Sequence, residues 1–259
     1  MKKIKLCLCG YPLKKSLSPK VFKIISEITK IKIEFDLIEK KDIDAKKVLS
    51  SNYDGFFITL PYKKTFYHYT QPDPLAKRLG IINCIKRYKN KLYSTNTDYK
   101  ALKTLLQKFD LKNRIATILG NGATAYISAY LLIKKEVKKI KISARNHIKS
   151  LEIINLLKKK NIQYELLKFP KLNNSDIVIN ATPLGMYFEK NIDFKKPPKL
   201  VVDFAYSEGQ TNLIRKCIKN NIQHINGIEI LVMQAIHGFK FITSIDLRRY
   251  YKKIVEEFL

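Results

Sequence analysis

Short apolar runs alternate along the chain with amphipathic stretches of helical length, which is the pattern of an α/β protein. Residues 1–9 read as a buried strand that stops at Gly10. Ser18 before Pro19 then pairs a capping residue with one suited to a first helical turn, opening a helix toward Ile28. Ile31-Lys32-Ile33-Glu34-Phe35-Asp36-Leu37 alternates, which marks a half-buried strand. A helix over Ala45–Leu49 and a turn at 52–55 lead to a strand at 56–59, which Pro61 ends by denying the ladder a donor. Pro74–Leu79 reads as a short helix broken at Gly80, 81–85 and 91–94 as a hairpin around a Lys-Asn turn, and Asp98 as the N-cap of a helix through Leu102 and Leu106.

The chain turns polar at 108–113, which marks a domain boundary, and the pattern restarts. Ile115–Leu119 is a buried strand, a helix follows to about residue 135, and 140–142 is the next strand. Ile177–Asn180, Leu200–Asp203 and 222–225 continue the series of strands ending in loops, and a final amphipathic helix is expected over 246–258, packed on the first domain. The pattern alone therefore gives an α/β protein whose chain restarts once, after 108–113.

At 259 residues with 46% hydrophobic and 11% aromatic content, the chain can bury a real core, and a disordered or fibrous reading is excluded. The net charge of +28 would suit a nucleic-acid binder with a Rossmann-like core, yet the lysines are dispersed, as Lys134-Lys135, Lys158-Lys159-Lys160 and Lys195-Lys196 show. No specific nucleic-acid partner is therefore expected. Cys7, Cys9, Cys84 and Cys217 make no CxxC pair and the four histidines are scattered, so no metal site is expected and a reduced, cytoplasmic setting follows. No apolar run reaches the roughly 20 residues of a membrane span.

Candidate chemistry sits where strands open into loops. Lys63 follows the strand at 56–59, and on spacing alone it reads as one more solvated lysine of a basic chain. Ser16 and Ser18 at a helix N-terminus either cap it or bind a carboxylate, since amide donors and the helix dipole converge there. Asn83 inside an apolar run must be hydrogen-bonded, either to backbone or to a ligand. Gly120-Asn121-Gly122-Ala123-Thr124-Ala125 is a G-x-G-x-x-A between strand and helix, the context a dinucleotide fingerprint needs. Gly120 permits the tight turn, Gly122 lets a pyrophosphate approach backbone, and Ala125 allows close helix packing. About twenty residues on, Ser143-Ala144-Arg145-Asn146 offers an arginine where a NAD site would want an acidic residue, which suits the 2′-phosphate of NADP.

Ile58-Thr59-Leu60-Pro61-Tyr62-Lys63 resembles the N-V-T-x-P-x-K segment of shikimate dehydrogenases, and the resemblance spans nearly the whole chain in the family's order. Ser16-Leu17-Ser18-Pro19 is similar to its H-S-x-S-P, the segment around Asn83 to its G-A-V-N-T, Asn96-Thr97-Asp98 to its N-T-D and Arg145 to the arginine of its N-R-T. Asn180-Ala181-Thr182-Pro183-Leu184-Gly185-Met186 is similar to N-A-T-P-L-G-M, Asp203-Phe204-Ala205-Tyr206 to D-x-x-Y, and Leu231-Val232-Met233-Gln234-Ala235 to M-L-V-x-Q-A. The departures are Lys15 for a histidine, Phe57 for an asparagine, Tyr99 for a glycine, and Ala144 and Asn146 beside Arg145.

The resemblance implies two α/β domains with the active site in the cleft between them: a substrate domain of 1–98 plus 227–259, and an NADP domain of 99–226 that is a Rossmann-type doubly wound parallel sheet. It implies reversible hydride transfer between NADPH and the ketone of 3-dehydroshikimate, giving shikimate. It makes Lys63 the catalytic proton donor and acceptor with Asp98 as its partner. It assigns the substrate to Ser16, Ser18, Thr59, Asn83, Gln234 and Tyr206. It assigns NADP to Gly120, Asn121, Gly122, Ala123, Thr124, Ala144, Arg145, Asn146, Thr182, Met186, Phe204 and Gly227. A monomer or homodimer working on a small molecule, away from membranes, is expected. The close alternative is a broader quinate/shikimate dehydrogenase, which Arg145 and the lack of an acidic neighbour argue against.

Overall fold

The computed structural model describes residues 3–207 and 209–258; Met1, the first residue of the expected opening strand, lies outside them. The chain divides into two compact units, Met1–Ala101 with Leu231–Leu259, and Leu102–Ile230. Both crossings fall inside helices, α4 (Thr97–Leu105) and α8 (Gly227–Thr243), so the polar stretch at 108–113 lies within the second unit and separates nothing. Polarity there reflects an exposed loop before a strand rather than a boundary.

The first unit is built on β1 (Lys3–Gly10), α1 (Ser18–Thr29), β2 (Lys32–Glu39), α2 (Ala45–Leu49), β3 (Gly55–Ile58), β4 (Gln71–Pro72), α3 (Pro74–Leu79), β5 (Cys84–Tyr88) and β6 (Lys91–Thr95), then α4, α8 and α9 (Tyr251–Glu256). Its mixed sheet runs β2-β1-β3-β5-β6-β4, with β1 parallel to both neighbours and β5 antiparallel to β3 and β6. Period-two alternation explains why β3 is apolar throughout. Phe56 and Ile58 enter one core with Cys7, Cys9 and Phe66, while Phe57 faces the other way, its ring 4.9 Å from that of Phe22 on α1. Gly238 on α8 makes room for Phe57, since a Cβ there would stand 2.3 Å from its Cε1. The family departure at Phe57 is thus absorbed in packing.

The final helix is shorter than expected, a 3-10 turn at Arg248–Tyr250 followed by α9, and Lys20 Nζ of α1 donates to the Glu257 carbonyl at 2.6 Å.

Also in this unit, His237 on α8 is held down to about 4, by burial first and then by the positive charges of Lys100 and Arg248, with Lys240 adding to them and Asp246 opposing. A depressed base refuses a proton that the unfolded chain accepts, so its contribution is complete above about pH 6.5 and is lost as pH falls toward 4. Denaturant midpoints measured at pH 7 and pH 5 should fall between the two, and His237→Gln should make that fall smaller. An identical fall in both proteins would exclude His237 as a source.

The second unit contains β7 (Ile115–Leu119), α5 (Ala123–Lys134), β8 (Lys139–Ala144), α6 (Leu151–Lys159), β9 (Gln163–Lys168), β10 (Ile177–Asn180), β11 (Leu200–Asp203), α7 (Asn212–Lys219) and β12 (Gln223–Ile225). All its strand pairs are parallel, in the order β12-β11-β10-β7-β8-β9. Counted within the unit this is 6-5-4-1-2-3, the doubly wound Rossmann order, with its switch point between β7 and β10. β9 was not expected, because as an edge strand it keeps polar Gln163, Glu165 and Lys168 among its apolar residues. The helices α6 and α7 were not expected either; each buries only a narrow stripe, in α7 Leu213, Ile214 and Cys217.

Candidate active site

In the first unit the C-terminal ends of β1, β3 and β6 and the start of β5 meet at one edge of the sheet. Thr59 N–H donates to the Cys9 carbonyl at 2.9 Å, Ile58 N–H to Asn83 O at 2.9 Å, and Asn83 N–H to Thr95 O at 3.1 Å. Lys63 follows β3 and Asp98 follows β6, so two residues 35 apart in sequence become neighbours. Lys63 Nζ donates to Asp98 Oδ2 at 2.6 Å, and both residues are buried, 8% and 9% exposed. A desolvated pair of this kind is costly to break from one side.

Asp98 is not the N-cap. The cap belongs to Asn96, whose Oδ1 accepts Tyr99 N–H at 2.9 Å, while Asp98 lies in the first turn of α4 with its carboxylate free for side-chain partners. Its second oxygen is taken as well, because Asn83 Nδ2 donates to Asp98 Oδ1 at 2.8 Å. Asn83 is 3% exposed and spends its remaining capacity on Thr97, donating to Oγ1 at 2.9 Å and accepting from the backbone N–H at 2.6 Å. Between backbone and ligand, the structure therefore turns Asn83 toward neither alone but toward Asp98. Thr97 also donates to Gln234 Oε1 of α8 at 3.2 Å. It is the residue that sequence reasoning passed over: polar, wholly buried, and next to the aspartate it helps to hold.

Ser16 and Ser18 follow β1, yet Ser18 is the first helical residue rather than a cap, and no side chain caps α1. Ser16 Oγ accepts Ser18 N–H at 3.4 Å. Pro19 still occupies the first turn, and no side chain caps the helix N-terminus, an arrangement that suits an anion.

In the second unit the candidate cofactor residues gather at the C-terminal ends of the strands. Gly120 adopts φ +103°, and a Cβ there would lie 2.9 Å from Thr182 Cγ2 and 3.1 Å from Ala181 O, so the turn after β7 packs tightly on the loop after β10. Gly122 caps α5 with no side-chain bond, and a Cβ there would meet nothing within 4 Å. Ala123 and Thr124 open that helix, leaving backbone donors beside open space, which fits a pyrophosphate. Arg145 follows β8 and Ala144, and its guanidinium lies 6.0 Å from the Phe188 ring; among the described residues no carboxylate pairs with it. Asn121 and Asn146 bond to the protein itself: Asn121 Nδ2 donates to Asn146 O at 2.7 Å, and Asn146 Oδ1 accepts Ile148 N–H at 3.0 Å. Thr182 Oγ1 donates to Asn180 Oδ1 at 2.6 Å. Phe204, Tyr206 and Met186 are half-buried on the loops after β11 and β10, and Gly227 opens α8, where a Cβ would lie 2.2 Å from Ala205 O.

Gly120 and Gly122 thus separate by experiment. Gly122→Val should raise KM for a dinucleotide about tenfold or more while leaving the melting temperature nearly unchanged, because the new side chain fills space rather than protein. A variant that melts early without losing cofactor affinity would count against the assignment.

A Rossmann-ordered parallel sheet with an open glycine at its switch point, in a chain that also carries a buried lysine–aspartate pair, defines the class of dinucleotide-dependent oxidoreductases. The family described as shikimate dehydrogenase substrate binding domain matches residues 8–85, and that described as shikimate/quinate 5-dehydrogenase matches residues 102–206. The chain is 37% identical over 190 residues to the shikimate dehydrogenase of Sulfurisphaera tokodaii, covering 72% of this chain and 67% of that protein. It is 30% identical over 241 residues to the shikimate dehydrogenase (NADP(+)) of Clostridium beijerinckii, covering 88% of each. The crystal structure of shikimate dehydrogenase 1 from Peptoclostridium difficile superposes with a TM-score of 0.81 at 26% identity, over 98% of this chain and 97% of that one. The chain belongs to the shikimate dehydrogenase family.

Proposed function

We infer that this chain is an NADP-dependent oxidoreductase acting on a CH–OH group, reversibly reducing 3-dehydroshikimate to shikimate. The observation that carries the reading is the buried Lys63–Asp98 pair, held at 2.6 Å in a chain of this family. When bound, NADPH supplies the hydride; the chain's residues must hold the substrate and move one proton. Lys63 has donors beyond the one given to Asp98, and it delivers a proton to the carbonyl oxygen as that oxygen gains charge. In oxidation the neutral amine takes the proton back from the hydroxyl.

Asp98 acts as the orienting partner. Its two oxygens are occupied by Lys63 and Asn83, which fixes the carboxylate and, through it, the Nζ position. Asn83 and Thr97 are positioning residues in this scheme, while Gln234 and Thr59 take the hydroxyls. The N-terminus of α1 with Ser16 and Ser18 takes the carboxylate, where helix amides and hydroxyls favour an anion. Arg145 takes the 2′-phosphate. A cytoplasmic setting belongs to this reading, supported by four cysteines that are free and buried. The charge of +28 serves no specific nucleic-acid partner in this reading, since its lysines are dispersed.

The test is to follow NADPH absorbance after adding shikimate and NADP to purified protein. Absorbance should rise with shikimate and not without it; no rise at any shikimate concentration would overturn the proposal.

A further inference from the structure

Beyond the proton-handling pair, the most heavily bonded polar cluster in the second unit lies behind the loop that follows β10. Asp203, at the end of β11, is wholly buried and has no cation among the described residues as partner. It accepts three hydrogen bonds instead: Asn180 Nδ2 at 2.8 Å and Ala205 N–H at 3.0 Å on Oδ1, and Thr211 Oγ1 at 2.6 Å on Oδ2. Asn180 carries the constraint onward, donating its other hydrogen to Leu184 O at 3.0 Å and accepting from Thr182 N–H at 3.1 Å and Oγ1 at 2.6 Å. Leu184 N–H in turn donates to Thr182 Oγ1 at 3.2 Å. Thr211 presses on the same loop from outside, since a Cβ on Gly185 would meet its Cβ and Cγ2 at 3.1 Å.

We propose that Asp203 is a positioning residue for cofactor binding: through Asn180 and Thr211 it fixes the loop from Thr182 to Met186 against the glycine turn at Gly120. The inference rests on NADP binding at that turn, as proposed above. The contact that transmits it is the close approach of Gly120 to Thr182 and Ala181.

The chemistry calls for a carboxylate. Two donors converge on one oxygen and a hydroxyl on the other, and only an acceptor-only side chain satisfies all three. An asparagine would turn an amide toward the Thr211 hydroxyl, which already accepts Ile214 N–H at 3.3 Å, and would leave a buried hydroxyl hydrogen without an acceptor. Burial pushes Asp203 up to about 6, against the pull of the Thr211, Asn180 and Ala205 donors, which favour the ionised form, with Glu189 adding a smaller push. On α7, the neighbouring Cys217 thiol is driven up to about 12 by its own burial and by Asp203.

Thr211→Val removes one donor while keeping shape, Thr211→Ser restores it, and Asp203→Asn keeps volume while losing the charge. NADP affinity is measured by calorimetry on each purified protein, alongside its melting temperature and its KM for shikimate at saturating NADP. Thr211→Val and Asp203→Asn should each weaken NADP binding about tenfold with KM for shikimate nearly unchanged, and Thr211→Ser should bind like wild type. Lower melting temperatures with wild-type NADP affinity in both would make the cluster merely structural and overturn the inference. Should Asp203→Asn not fold, the Val and Ser variants at position 211 decide alone. Wild-type protein that fails to bind NADP would instead refute the functional reading beneath it.

Discussion

Lys63→Ala should lower kcat by about 100- to 10,000-fold, the range lost when a positioned general acid–base group is removed, with KM for shikimate changed far less. Asp98→Ala should fall in the same range. The two losses should not add, because both act through one proton-transfer unit: the double variant is expected near the worse single one. Truncating one partner of a buried pair also leaves the other charge uncompensated, so part of any activity loss could be a loss of folded protein. Lys63→Met separates the two effects, since it keeps the apolar stem and cannot donate. Melting temperatures of all variants, set beside their kcat, complete the measurement. Turnover at the wild-type rate by folded Lys63→Ala would remove Lys63 from the chemistry altogether.

The elements legible in the sequence were those whose periodicity is unambiguous. Strands buried on both faces, such as β3, β7, β10 and β11, announce themselves as short apolar runs between turn residues. β9 did not, because an edge strand is half solvated and its composition is correspondingly mixed. The division of the chain was harder still. Polarity at 108–113 looked like a linker, but both crossings are made by continuous helices, and a helix shared between two units carries no compositional mark.

For the site, sequence supplied the residues and the structure reassigned several of their duties. Asp98 after Thr97 has the local look of a cap, and only the bond from Tyr99 N–H to Asn96 Oδ1 shows that the cap lies two residues earlier. That shift of two positions matters chemically, since it leaves both Asp98 oxygens to side chains, Oδ2 to Lys63 at 2.6 Å and Oδ1 to Asn83 at 2.8 Å. Asn83, Asn121 and Thr182 likewise turn inward, each holding a neighbour in place. Hydrogen-bond direction is a property of three-dimensional neighbours, and no spacing rule in one dimension encodes it.

Cofactor choice rests on one side chain and makes the second large prediction. Arg145 follows β8 with no acidic residue beside it in Ser143-Ala144-Arg145-Asn146, its guanidinium lies 6.0 Å from the Phe188 ring, and among the described residues no carboxylate pairs with it. At 6.0 Å from the ring centroid the guanidinium spends no hydrogen-bond donor on the ring, and its donors stay available to a phosphate. If Arg145 meets the 2′-phosphate of NADP, removing it deletes a charge-assisted contact worth about 1.5 to 3 kcal/mol, roughly ten- to 150-fold in affinity. NAD lacks that phosphate and should lose little. Arg145→Ala should therefore raise KM for NADP by that factor and leave KM for NAD nearly unchanged, with the loss for NADP shrinking as salt screens the contact. Equal losses for both dinucleotides would make Arg145 a stacking residue for the adenine they share, and a wild-type preference for NAD would reverse the assignment.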